Sequence, residues 1–432
     1  MGTPASRFLF VSRNALSVDC AWQCARNGND VRYCIEEPRD ADIGDGFVPK
    51  VTEWRPHVDW ADVIVFDDVL GYGAIAHELR AQGKRVIGGT PYTDRLEDDR
   101  ACGQAAFAEH GLPTLPSFDF ARFDDAITHV RRHPGRYVFK PNGESANAKQ
   151  LLYVGQDDDG TDLIETLERY QREWGTTITS FELQEYAAGV EVAIGAFFNG
   201  TSFLMPVNIN FEHKRLFPQE RGPMTGEMGT SMTWADATRL FDLLLAPFAP
   251  TLAREGYVGY FDINCVVNET GVWPLEATTR FGYPTIEIQS DILTVPLATF
   301  FTELAQGTVS RMPVRTEIGI GVRLVMPPYP FNDEAMFRAS SRGARITNRT
   351  DSTAHVHIED VRTEHGTWYV TGSVGVALIV TGTGATIADA RRAAYDRINH
   401  IAIPNMYYRE DIGARWDTDL RQLTAWGYLE HL

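Results

Sequence analysis

The segment Phe261-Asp262-Ile263-Asn264-Cys265-Val266-Val267, continued through Trp273-Pro274-Leu275-Glu276-Ala277-Thr278-Thr279-Arg280-Phe281-Gly282, constrains the fold more than any other. Phe261, Ile263, Cys265 and Val267 alternate with Asp262 and Asn264, the period of a strand with one apolar face. Asn268-Glu269-Thr270-Gly271 supplies a turn, so the two arms read as a hairpin. Pairing the arms returns Glu276 beside Asp262 and Asn264. Three hard oxygen donors on one face suit Mg²⁺, or Mn²⁺, when the ion also shares phosphate oxygens. Arg280, just beyond, can neutralise a phosphoryl group. The competing reading is a solvated hairpin with incidental charges.

A chain of 432 residues, 44% of them apolar, can bury several cores and has room for two or three domains. Its formal charge of −18 argues against broad nucleic-acid or anionic-membrane binding, both of which need a positive field. The five cysteines (Cys20, Cys24, Cys34, Cys102, Cys265) form no CxxC pair and read as reduced, mostly buried thiols. Cys20 and Cys24 lack the second ligand pair that a zinc site needs. No apolar run approaches the roughly 20 residues of a membrane span, and no signal-peptide core is present. The expectation is a cytoplasmic protein, monomeric or a small homo-oligomer, acting on small molecules.

Arg7–Val11, Val31–Ile35, Val63–Phe66 and Arg85–Ile87 read as strands separated by helical stretches, the pattern of an open parallel sheet. The turn after the first strand has no glycine fingerprint for a dinucleotide. Asp67-Asp68 fall at a strand's carboxyl end, as ligand groups or as helix caps. Tyr137–Pro141 is a strand carrying Lys140, followed by a small-residue loop ending at Lys149; two cations so spaced can grip one polyphosphate. Strands at Ser180–Tyr186, Glu191–Phe198 and Phe203–Phe211 predict an antiparallel sheet. Glu212-His213-Lys214-Arg215 then opens a long loop reaching Thr230, with Lys214 and Arg215 available to an anion. A helix is expected around Thr238–Glu255, and a strand-rich third domain from about Glu317. His355 and His357 read as alternating polar residues on a half-exposed strand.

Several blocks, in order, resemble phosphoribosylamine–glycine ligase, the glycinamide ribonucleotide synthetase family of ATP-grasp enzymes. They are His213-Lys214-Arg215, Gly222-Pro223, Thr225-Gly226, Met228-Gly229, Glu276, Arg280-Phe281-Gly282, Pro284 and Arg409-Glu410-Asp411-Ile412-Gly413. The resemblance runs nearly end to end. It implies an N-terminal open parallel α/β domain (1–97), a two-lobed ATP-grasp region (98–316, small lobe about 122–190) and a C-terminal mixed β domain with a helix (317–432). It also implies ATP and Mg²⁺, amino-acid and amine substrates, and amide formation through an acyl phosphate in purine biosynthesis. Lys140 and Lys149 would hold ATP phosphates, Glu185 and Tyr186 would lie at the adenine hinge, and Glu191 would accept the ribose hydroxyls. Glu276 matches the metal carboxylate and Arg280 the phosphate arginine. That chemistry needs no side-chain nucleophile, and no Gly-x-Ser-x-Gly elbow is present.

The departures from the family pattern cluster at substrate and metal positions. Ser12-Arg13-Asn14-Ala15-Leu16-Ser17 stands where the family has Gly-Gly-Arg-Glu-His-Ala, and the lid at Gly143–Lys149 keeps one glycine. Glu-Phe-Asn becomes Glu276-Ala277-Thr278, and Asp-Pro-Glu becomes Tyr283-Pro284-Thr285. Asp262 and Asn264 are expected to supply the missing metal ligand from the facing strand. A different amine or amino acid, or a nucleotide-binding homologue without ligase activity, are the alternatives to the family's substrates.

Overall fold

A computed structural model describes residues 5–142, 151–236, 238–350 and 352–429. Five strands, β1 (Arg7–Ser12), β2 (Asp30–Ile35), β3 (Lys50–Val51), β4 (Val63–Phe66) and β5 (Val86–Ile87), form a parallel sheet in the order β3-β2-β1-β4-β5. Phe8-Leu9-Phe10-Val11 and Val63-Ile64-Val65-Phe66 are buried on both faces, as uninterrupted apolar runs in a covered parallel sheet must be. Helices α1 (Val18–Arg26) and α2 (Tyr72–Ala81) follow β1 and β4. The strand order reverses between β1 and β4, which opens a crevice at their carboxyl ends.

Helices α3 (Pro91–Asp98) and α4 (Arg100–Glu109) lead into a small lobe. There β6 (Ser117–Phe120), β7 (Tyr137–Pro141), β8 (Tyr153–Val154) and β9 (Phe181–Glu185) make an antiparallel sheet ordered β6-β9-β7-β8. Helices α5 (Phe123–Arg132) and α6 (Thr161–Trp174) cover it. Phe123, Val130, Leu163 and Leu167 pack with Phe139, Phe181 and Leu183 into a separate core.

The centre of the molecule is one antiparallel sheet of eight strands. β10 (Val190–Asn199), β11 (Val207–Phe217), β12 (Arg221–Ala235), β13 (Val258–Asn268), β14 (Gly271–Thr278), β15 (Ile318–Val325), β17 (Val356–Ile358) and β20 (Val376–Gly384) run in the order β14-β13-β10-β11-β12-β15-β20-β17. Strands from beyond residue 317 therefore join the ATP-grasp sheet edge to edge through β12 and β15. A small satellite sheet holds β16 (Arg345–Asn348), β18 (Val361–Glu364), β19 (Thr367–Val370) and β21 (Ile401–Ala402). Helices α7 (Arg239–Leu244), α8 (Ala249–Glu255), α9 (Thr285–Ile292), α10 (Leu297–Gln306), α11 (Glu334–Ser340), α12 (Ile387–Ile398) and α13 (Trp416–Ala425) complete the chain. Gly321 lets α9 lie against β15, since a Cβ there would stand 2.9 Å from Pro284 Cβ.

Two expectations are corrected. Residues 212–230 are not a long loop: β11 and β12 form a hairpin with register shifts at His213/Arg215 and Arg215/Phe217. The bulges break the period-two pattern, which hides the strands from sequence reading. The helix expected over Thr238–Glu255 is two short helices, because Pro247 and Pro250 cannot donate within one.

Candidate functional site

The β13–β14 hairpin forms in the expected register, Asp262 opposite Thr278 and Asn264 opposite Glu276, with a bulge after Asn264. Across β10 from it, on β11, is Lys214, whose Nζ lies 2.9 Å from Glu191 Oε1, 3.4 Å from Glu212 Oε2 and 3.7 Å from Glu276 Oε1. These carboxylates hold the ammonium well above its usual pKa despite burial. Asn264 Nδ2 donates to Glu212 Oε1 at 3.3 Å, leaving Asn264 Oδ1 buried without a hydrogen-bond partner. Asp262 Oδ2 accepts from Tyr260 Oη at 2.9 Å; burial, with Glu212 nearby, pushes its carboxyl well above the usual range. Among the described residues no three His, Cys, Asp or Glu side chains gather at metal distance. Asp262, Asn264 and Glu276 place two carboxyl groups and an amide along the hairpin.

Arg280 follows β14. Its Nε lies 3.0 Å from Glu97 Oε1 and 3.9 Å from Asp68 Oδ1, and its Nη1 donates to Phe281 O at 2.8 Å. Glu97 also accepts from Thr279 N at 2.6 Å, which ties α3 to the end of the hairpin. From the small lobe comes Lys140 on β7, donating to Gln184 Oε1 at 2.7 Å. Burial lowers its ammonium to about 8, against the pull of Glu182. Glu185 is exposed at the end of β9, and Arg136 Cζ sits 3.6 Å from the centroid of the Tyr186 ring. Lys149 and the rest of the 143–149 lid lie outside the described residues.

The structure separates two residues that the sequence paired. Arg215 turns to the hairpin end, donating to Gly222 O at 2.8 Å, away from Lys214's carboxylates. Behind it Arg409, fully buried, donates to Asp411 Oδ1 and Oδ2 at 2.8 Å each, to Glu220 Oε1 at 2.8 Å and to Arg215 O at 2.9 Å. His213 Nε2 accepts from Gly413 N at 3.1 Å. The motif blocks around residues 213 and 409 are thus one buried clamp on the hairpin.

At the carboxyl edge of the first sheet, Asp67 accepts from Ser17 N at 2.8 Å and Ser17 Oγ at 2.6 Å, fixing the Ser12–Ser17 turn. Burial raises its carboxyl to about 7. Arg13, Glu36, Glu37, Leu70 and Tyr72 line a cavity there of about 260 Å³. His357 is not half-exposed as expected: it is buried, with Nδ1 2.7 Å from Asp19 Oδ2 and Nε2 3.2 Å from Asp291 Oδ2.

Glu97, Glu212, Glu227 and Arg323 escaped sequence reading. One signal was present for Glu212: Asn208, Asn210, Glu212 and Lys214 recur with period two along β11. Glu97 and Arg323 carry no local signal, because their partners come from distant elements.

Two family models match this chain. Residues 99–286 match the phosphoribosylglycinamide synthetase ATP-grasp (A) domain and residues 320–415 the C domain of the same synthetase, together about two thirds of the chain. The phosphoribosylamine–glycine ligase of Leifsonia xyli is 29% identical over 359 residues, covering 79% of this chain and 81% of that protein. That of Caulobacter vibrioides is 27% identical over 373 residues, covering 82% and 84%. Among solved structures, the phosphoribosylamine–glycine ligase of Thermotoga maritima shares the fold with a TM-score of 0.69 at 21% identity, over 94% of this chain and all of that one. The biotin carboxylase domain of the Hydrogenobacter thermophilus 2-oxoglutarate carboxylase, solved with MgADP, shares the fold with a TM-score of 0.62 at 13% identity, over 99% of this chain and 100% of that one. The chain belongs to the phosphoribosylglycinamide synthetase family and is an ATP-dependent ligase that forms a carbon–nitrogen bond.

Proposed function

We propose that this ligase phosphorylates the carboxylate of a small amino acid with ATP and passes the acyl group to an amine, releasing ADP and phosphate. A carboxylate resists direct attack by an amine, because its oxygen is a poor leaving group; an acyl phosphate has a good one. The observation that carries this reading is the grouping of Lys214, Glu276, Asp262 and Asn264 on one sheet face, with Lys140 facing them from the small lobe. Lys140, Lys214 and Arg280 would flank the transferring phosphoryl group and act by position and charge. Glu185 and Tyr186 would border the adenine. Glu191, paired with Lys214 in this structure, would exchange that contact for the ribose hydroxyls.

Glu276, Asp262 and Asn264 would hold Mg²⁺ or Mn²⁺, and the unpartnered Asn264 Oδ1 fits a hard cation. The ion supplies charge neutralisation of the phosphates when bound.

The relatives' names make glycine and phosphoribosylamine the first substrate pair to test. A different amine is favoured by one observation: Arg280 and Arg323 are each engaged by carboxylates, which leaves less positive charge for a substrate phosphate. A coupled ADP-release assay across amino acids and amines decides between them. Turnover without phosphoribosylamine and none with it would reject the family pair. Saturable ATP binding with no ADP release from any mixture would reject ligase activity.

A further inference from the structure

Beyond the end of β14 the chain is held by one carboxylate from another element, Glu97 of α3. Glu97 Oε2 accepts from Thr279 N at 2.6 Å, and its Oε1 accepts from Arg280 Nε at 3.0 Å. Both oxygens accept, as those of an ionised carboxylate do. On the far side of the same residue Tyr257 Oη donates to Thr279 O at 3.0 Å, and Thr279 Oγ1 donates to Thr93 O at 3.1 Å. The two peptide groups flanking Thr279 are thus each held, and the carboxylate that holds one of them also holds the side chain of Arg280.

A guanidinium carries five N–H donors in a rigid planar fork. In Arg280 the Nε donor goes to Glu97 and one Nη1 donor to Phe281 O, 2.8 Å away. Asp68 Oδ1, 3.9 Å from Nε, adds charge without a hydrogen bond. Among the described residues Nη2 has no hydrogen-bond partner. The Arg280 side chain keeps 29% of its exposure and that of Glu97 16%, so a ligand can reach the fork while its anchor is largely covered. The Thr279 N–H needs only an acceptor, which a neutral group would supply. The second oxygen of Glu97, and its charge, serve the arginine.

We infer that Glu97 is a positioning residue for phosphoryl transfer: it fixes the Arg280 fork so that Nη2 meets the terminal phosphoryl group of ATP. The inference rests on the ligase reading above and adds to it a residue that touches the arginine alone. A long, unanchored arginine spends interaction energy on its own ordering when a ligand arrives. One that is already anchored presents its charge with no reorganisation at the moment of reaction. Helix α3, which joins the parallel sheet to the small lobe, thereby acts on the reacting centre through one arginine of the antiparallel sheet.

Glu97→Gln separates the two duties. Its amide oxygen can still accept from Thr279 N, whereas its NH₂ then meets Arg280 Nε donor to donor. Calorimetric titration of the full chain with Mg²⁺ compares ADP with adenylyl imidodiphosphate, a nonhydrolysable ATP analogue, and ADP release from ATP is followed in parallel. The expected result is a wild type that prefers the analogue over ADP and a Glu97→Gln variant in which that preference falls at least fivefold, with ADP affinity within twofold of wild type. ADP release by the variant should slow at least tenfold at saturating nucleotide. The double variant with Arg280→Gln should bind the analogue no more than twofold worse than Arg280→Gln alone, because a positioning residue acts through its arginine. Thermal melting checks folding; Glu97→Asp, which keeps the charge on a shorter arm, carries the same direction of change if Glu97→Gln does not fold. An unchanged preference in the folded variant, equal binding of both nucleotides by the wild type, or losses that multiply in the double variant would each overturn the assignment. ADP release by the wild type with an unchanged preference in Glu97→Gln removes the positioning role and leaves the ligase reading standing. A preference lost in Glu97→Gln, with no ADP release by the wild type from any mixture, does the reverse.

Discussion

Lys214 Nζ lies 2.9 Å from Glu191 Oε1, and the same ammonium reaches Glu212 and Glu276, so carboxylates from β10, β11 and β14 share one cation. Lys214→Met leaves them without it. Glu191 and Glu276 keep 36% and 55% of their side-chain exposure, so solvent screens much of the repulsion. The expected stability cost is about 1–2 kcal/mol, below the figure for a fully buried pair. The expected loss in kcat/KM is about 10²–10³, as for removal of one preorganised charge at a transferring group. Urea denaturation and steady-state ADP release measure the two; a wild-type kcat/KM would make Lys214 purely structural.

Lys140 provides a pH test. Its folded-state pKa of about 8 lies below the ordinary lysine value, so the unfolded chain binds more protons between those limits. Stability of the nucleotide-free protein should therefore rise with pH from about 8 to about 10.5. Nucleotide affinity should move the opposite way, weakening as pH climbs through 8, because phosphate prefers the charged ammonium. Lys140→Gln should flatten both profiles, read by denaturation midpoints and nucleotide titration. A wild-type affinity profile that stays flat in this range would exclude Lys140 from the phosphates.

Arg280→Lys keeps the charge and loses the planar fork that serves Glu97 and Phe281 O together. Single-turnover phosphoryl transfer from ATP should slow by about 10²-fold, with the melting temperature moving little. Slowing confined to product release would assign the arginine elsewhere.

His357 binds the first sheet's helix α1 to α9 through Asp19 and Asp291. These carboxylates raise the imidazole well above its ordinary pKa, and the histidines lower Asp291. A raised histidine contributes stability that is complete below about pH 6.5, the unfolded value, and is lost as pH rises through the folded value. The lowered Asp291 contributes above about pH 4 and loses its share in stronger acid. His357→Gln should remove the decline in urea midpoint above neutrality. An unchanged slope would place the titrating group elsewhere.

The β13–β14 hairpin was legible because everything that specifies it is local. Alternation sets each face, Asn268–Gly271 turns the chain, and pairing then places Glu276 opposite Asn264. The β11–β12 hairpin was not, because its bulges interrupt the period on which strand reading depends. His357 was misjudged for a related reason. Its burial follows from Asp19 and Asp291, 338 and 66 positions away, and neighbouring residues carry no trace of either.

The sequence by itself determined the parallel first sheet, the hairpin with its oxygen donors, and the family, since periodicity, turn chemistry and ordered motif blocks are properties of neighbouring residues. Tertiary structure alone decided that the strands beyond residue 317 extend the ATP-grasp sheet, that Lys214 rather than Arg215 faces the carboxylates, and that Arg323 pairs with Glu359. Those outcomes depend on which distant side chains are brought together and deprived of water. Charge and hydrogen-bond balance are settled at that step, by partners that no local pattern names.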